Sequence, residues 1–173
     1  MRKVCLVVVC VSTLSFGCKA PGADEPKVEF KAVSTTQDVM AGVMDPTAMI
    51  VWNAVSTSID KTGVHENRPQ TKEEWQKISY AARGLAESAS LLLYEGRIED
   101  HGDWEKFTKE LATTALEAAK AADDQDGEAV ITTGGNIYEV CTKCHMAYLD
   151  RVMAKRTGGQ APAPGTAPNP LSK

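Results

Sequence analysis

Two cysteines and a histidine sit together late in the chain, within the run Cys141, Thr142, Lys143, Cys144, His145. On a helix, Cys141 and Cys144 share a face at i and i+3, and His145 stands at i+4 from Cys141. That geometry suits a flat porphyrin laid against the helix. Each thiol adds to one vinyl group to make a thioether, and the imidazole of His145 points at the iron. C-x-x-C-H is the attachment pattern of c-type haem. Other uses of the same residues need different surroundings. A thioredoxin-like pair sits at a helix N-terminus after a strand, where the dipole lowers a thiol pKa. A structural zinc site needs a fourth ligand, commonly from a second Cys/His pair, and His65 and His101 lie alone in polar segments. Packing cysteines would not need His145.

Such chemistry requires export and a helical scaffold, and both have sequence signals. Arg2 and Lys3 precede an apolar run over 4–14 that is short for a bilayer span, and Ser15, Phe16 and Gly17 bring small residues to a cleavage position. Residues 1–17 are therefore expected to be a signal peptide. Cys18 then stands first in the mature chain. It resembles a bacterial lipidation site with Leu14 one place too early, so a lipid-anchored and a released periplasmic form both stay open. Three of the five cysteines lie in or beside this leader, which leaves Cys141 and Cys144 as the pair in an oxidising compartment.

The chain of 173 residues is long enough for one domain with a real core, and 43% hydrophobic residues is ordinary for a globular protein. The net charge is −4; without Arg2 and Lys3 it is −6, from 17 basic against 23 acidic residues. A mildly acidic chain with no basic stripe is not built for nucleic acid. No segment beyond the leader is apolar enough to cross a membrane.

Residues 18–34 are polar, with Pro21, Gly22 and Pro26, and read as a tether. Residues 157–173 are rich in Gly, Pro and Ala and read as a disordered tail. Between them, 35–156 carries four helical patterns and no strand alternation. The first covers 36–58, with Met40, Val43 and Met44 on one face. The Asp45-Pro46 step marks a kink or a new start, and the stripe resumes through Met49, Trp52, Val55 and Ile59. The second opens on a Thr71/Glu74 capping box and runs through Trp75, Ile78, Ala82, Leu85, Ala89 and Leu92 to Gly96. The third starts at Asp103 as N-cap and continues through Trp104, Phe107, Leu111, Ala115, Ala118 and Ala122. The fourth covers 128–155 and holds the cysteines. Gly134 and Gly135 in its first half mark either a local break or a place where a bulky group approaches. Four amphipathic helices with short links, the longest over 60–70, predict an all-α, antiparallel four-helix bundle. Trp52, Trp75 and Trp104 read as core.

The late position of the motif constrains the iron's second axial ligand. Met146 and Met153 share the helix of His145 and cannot reach the opposite haem face, so that ligand comes from upstream. At this point the chain resembles the class II c-type cytochromes: cytochrome c-prime and its low-spin, methionine-ligated relatives. The late CTKCH carries the resemblance, with GNIYEVCTKCHMAYL in the last helix and VMAGVMDP before VWNAV in the first. It spans about residues 35–155. It implies a four-helix bundle holding one covalent haem c near the end of the last helix, with Cys141 and Cys144 as attachment points and His145 as proximal ligand. The sixth position faces the first helix. The resemblance favours Met40 there, with Met44 the alternative and Met49 third. A methionine ligand implies a low-spin electron carrier; an apolar residue leaves the iron open to NO and similar gases. Neither reading is an enzyme, and a peroxidase-like activity is a distant third. Lys143, Arg151, Lys155 and Arg156 surround the motif and either neutralise propionates, meet an acidic partner, or are ordinary solvated charge. The redox partner, the potential and any homodimer are not legible in the sequence.

Overall fold

The structure, a computed structural model, describes residues 30–156. The expected signal peptide, Cys18, most of the tether and the 157–173 tail lie outside the described residues. The described part is mostly helical, with one two-stranded hairpin.

The first helical rod begins at Thr35, whose hydroxyl accepts from the Asp38 N–H at 3.1 Å while the Asp38 carboxylate accepts from the Thr35 N–H at 2.9 Å. This reciprocal cap satisfies amides that have no partner in the first turn. The rod then runs through α1 (Thr36–Val39), a π-helical turn (Met40–Met44) and α2 (Asp45–Trp52). Pro46 explains the π turn. It has no N–H, and its ring would press on the carbonyl four residues back. Widening the preceding turn, with the Asp45 N–H donating to the Met40 carbonyl, removes that conflict without ending the rod. The Asp45-Pro46 step thus opens α2, with Pro46 in its first turn, and the rod continues through it.

Two expectations are corrected beyond Trp52. The helix stops there instead of reaching residue 58, and the chain is not all-α: β1 (Ser56–Asp60) and β2 (Gly63–Asn67) pair antiparallel, from Ser56 opposite Asn67 to Asp60 opposite Gly63. The Asp60 carboxylate accepts from the Thr62 N–H at 2.7 Å and the Thr62 hydroxyl at 2.6 Å, which bends the chain. These Thr62 bonds hold Asp60 below the usual carboxylate range. Gly63 has a φ of 133°, a conformation that disfavours any side chain. Ile59, expected at the end of a core stripe, is 78% exposed. The hairpin is tied back where Asn67 donates to the Asn53 carbonyl at 2.7 Å.

α3 (Lys72–Ala89) opens on the expected Thr71/Glu74 box and buries Trp75, Ile78, Ala82, Leu85 and Ala89, the stripe read from the sequence. A 3-10 turn (Ser90–Leu93) and Gly96, at φ 91°, end it. α4 (Asp103–Asp123) is capped one residue earlier than expected: Gly102 occupies the cap, and the Asp100 carboxylate accepts from the N–H groups of Gly102 and Trp104. Ala115, Ala118, Ala119 and Ala122 are fully buried, so α4 offers small side chains where α3 packs along it. α5 (Gly127–Arg156) packs along α4, and α2 lies against both α3 and α5. Trp104, Leu85, Ile137, Val51 and Val130 form the centre of the shared core.

α5 is unbroken at Gly134 and Gly135. The bulky group at Gly134 is the side chain of Trp52, whose indole donates to the Gly134 carbonyl at 2.9 Å. A Cβ on Gly134 would stand 3.4 Å from the Trp52 ring, whereas one on Gly135 would meet open space. Gly135→Ala is therefore expected to stabilise the fold by up to about 1 kcal/mol. Gly134→Val should destabilise it by roughly 1–3 kcal/mol by forcing Trp52 away. Thermal unfolding of the two variants checks both signs.

Candidate functional site

The site is built on the second half of α5. Val130, Gly134, Ile137, Cys141, Cys144 and Tyr148 recur at spacings of three and four. They form the stripe that α5 turns toward the core. Cys141 and Cys144 are free thiols, half-buried against the apolar cluster. Burial pushes both up to about 11, so both are protonated at neutral pH. A thioredoxin-like pair needs the reverse shift and a helix N-terminus. The other two histidines are engaged elsewhere, His65 with Asp60 and Thr62, His101 with Glu105. Among the described residues no three or more of His, Cys, Asp and Glu converge as a metal-binding group, so no zinc-type ligand set is assembled round the two thiols.

His145 lies beside this stripe and is exposed to solvent. Atoms packed round the ring still desolvate it enough to hold its pKa below the usual imidazole value. The imidazole has no hydrogen-bond partner among the described residues, so both nitrogens are available. On the same side of α5, Met146 is 84% exposed, and Ile131, Tyr138 and Leu149 are about half exposed, Ile131 and Tyr138 facing the cleft toward α2.

The methionines separate clearly. Met40, at the start of the π turn, is half-buried and packed on the apolar cluster. Met44 is inside the core, 5% exposed. Met49 is 40% exposed, and Met146, at 84%, is the most exposed methionine among the described residues. α1 contacts α5, so the segment leading into Met40 neighbours the helix of His145. Between α2 and α5, a cleft of about 220 Å³ is lined by Trp52, Val55, Ile131, Gly134, Gly135 and Tyr138. Tyr138 meets Trp52 edge to face at 5.9 Å.

The charges near the motif are engaged. Lys143 pairs with Glu139 at 2.7 Å, Lys155 with Glu99 at 2.8 Å, and Arg151 lies 4.9 Å over the Tyr148 ring. Tyr148, with its ring buried and its hydroxyl partly so, donates to the Asp100 carboxylate at 2.6 Å. Burial first, and that bond second, push its pKa up to about 12. The same bond is the main reason Asp100 stays below the usual carboxylate range. Arg97, Asp100 and Tyr148 were not singled out by sequence reasoning. A loop residue bonded to main-chain oxygens leaves no periodic signal.

No protein-family model, curated protein or solved structure matches the chain.

The donor set fits a covalently attached haem in kind. Two protonated thiols lie one turn apart on a helix, with an unengaged imidazole next to them and partly exposed apolar side chains alongside. A thioether side chain is carried on a neighbouring helical rod.

Proposed function

We propose that this chain is an exported, monohaem c-type cytochrome of the class II kind that carries single electrons. The observation that carries the reading is the set Cys141, Cys144 and His145 on α5, with free thiols and an unengaged imidazole, next to the rod that bears Met40. In this reading the rod, α3, α4 and α5 are the four members of an antiparallel bundle, and the hairpin is an elaboration of the link between the first two. The pairwise packing of α2, α3, α4 and α5 supports it.

Cys141 and Cys144 would hold haem c by thioethers, and His145 and Met40, with Met44 as alternative, would ligate its iron. Bound there, haem would supply a one-electron couple, and a methionine ligand in an apolar surround would shift it to higher potential. The protein's own residues supply position and exclude water. The chain is a carrier, not an enzyme. It works in the periplasm and meets a redox partner protein rather than nucleic acid. Membrane attachment, if present, is through Cys18.

The second reading is a five-coordinate, gas-binding haem protein. Its ground is that Met40 already packs on the apolar cluster, as a core-filling methionine does. A visible spectrum of the reduced protein with and without carbon monoxide separates the two. An unchanged spectrum is expected for the electron carrier. A carbon monoxide adduct in the wild type would favour the gas-binding reading.

A further inference from the structure

Arg97 is 4% exposed, and none of the ion pairs among the described residues includes it. A buried guanidinium is expensive unless its N–H groups are satisfied. Here they are satisfied by main-chain and hydroxyl oxygens. Nε and Nη2 donate to the Ser34 carbonyl at 3.2 and 3.0 Å, Nη2 also to the Ser34 hydroxyl at 3.1 Å, and Nη1 to the Leu91 carbonyl at 2.9 Å. Ser34 immediately precedes Thr35, the cap of α1. Two further contacts lay the same lead-in segment along the loop: the backbones of Lys31 and Glu95 form an isolated parallel β-bridge, and Phe30 stacks on Tyr94 at 6.0 Å.

The far end of the loop grips α5. Asp100 accepts from the Tyr148 hydroxyl, and Glu99 pairs with Lys155. Tyr148 stands three residues after His145, within one turn of it. One short loop is therefore fastened at one end to the start of the Met40 rod and at the other to the helix of His145.

We infer that the 94–100 loop is a bracket that sets the separation of the two helices carrying the axial ligands, with Arg97 as its positioning residue. The inference rests on the haem reading above. A ligand bond has a fixed length, and a functional group displaced by about 1 Å loses much of its effect. An arginine fork holding a main-chain carbonyl fixes the start of α1 more rigidly than a single donor does.

The test compares wild type with Arg97→Met, each produced as holoprotein with a cytochrome c maturation system. Arg97→Met should keep its haem, because both cysteines are untouched. Its reduced form should now bind carbon monoxide, and its Asp38, Val39 and Met40 amides, the bonded ones at the start of α1, should exchange hydrogen roughly tenfold faster or more, the loss expected for hydrogen bonds to a charged group. Arg97→Lys, which keeps one donor to Ser34, should be intermediate in both. Should Arg97→Met fail to fold, Ser34→Ala and Tyr148→Phe each remove one bond and report the same two signals at smaller amplitude. Unchanged exchange overturns the bracket. Faster exchange with no carbon monoxide binding overturns the positioning role and leaves a clasp only. Exchange is read on the protein as purified. It therefore judges the bracket even where a haem-free or already gas-binding wild type shows that the haem reading itself has failed.

Discussion

Produced with a cytochrome c maturation system, the chain is expected to carry its haem through denaturing electrophoresis and acid-acetone extraction, and Cys141→Ala with Cys144→Ala to lose it completely. A non-covalent porphyrin would be released by either treatment, whereas a thioether survives both. Each single variant should keep one bond and retain a haem stain with a shifted spectrum. The structure adds a constraint on timing. In the folded chain both thiols are half-buried and pushed up to about 11, which leaves them protonated and poorly nucleophilic at neutral pH. Attachment is therefore expected before α5 packs. In haem-free protein, alkylation of the two thiols should be slow under native conditions and fast in denaturant. A wild-type polypeptide that runs at its bare mass without haem stain would end the cytochrome reading.

Met40→Ala is expected to open the iron. The oxidised protein should lose the weak charge-transfer band of a thioether ligand, the reduced protein should bind carbon monoxide, and the potential should fall with loss of the axial methionine. Met44→Ala should leave the spectrum alone and cost roughly 2–5 kcal/mol of stability, because Met44 is 5% exposed in the core. The two variants thus trade a spectral effect against a thermodynamic one. If Met44→Ala removes the band instead, the ligand is Met44. If neither variant changes a spectrum that is already high-spin, the gas-binding reading stands.

Much of the scaffold was legible because it follows a 3.6-residue period. The Thr71/Glu74 box, the α3 stripe from Trp75 to Leu92 and the α4 stripe from Trp104 to Ala122 were each read from spacing and found buried, with Phe107 only half so. The hairpin was not. Val55 and Ile59 continue the spacing of α2 by coincidence, so periodicity alone carried the helix past Trp52. The contrary signals were local. Asp60, Thr62 and Gly63 make a tight turn between segments holding Thr57, Ile59 and Val64, all β-branched. At the site, Cys141, Cys144 and His145 stood out because their types and spacing match a known attachment pattern, and the structure places both thiols on the inner stripe of α5. The choice among methionines was not, because a thioether on an apolar stripe packs as readily as it ligates. Arg97 stayed hidden for a further reason: three of its four hydrogen bonds go to main-chain atoms of Ser34 and Leu91, which carry no residue identity.

The π turn at Met40–Met44 makes the first rod unusually sensitive to chain length. A π turn holds one residue more than an α turn of similar rise, so it behaves as an insertion absorbed within a helix. Loss of one residue there would turn everything upstream by about 100° relative to α2. It would swing Met40 off its present bearing, while the cap at Thr35 and the core contacts of Val51 stayed intact. Pro46 opposes that change by keeping the preceding turn wide. A deletion paired with replacement of this one proline is thus a short mutational path. On the haem reading, a descendant of this sequence would exchange a closed, electron-carrying iron for one open to gases along it, with no substitution at any ligand.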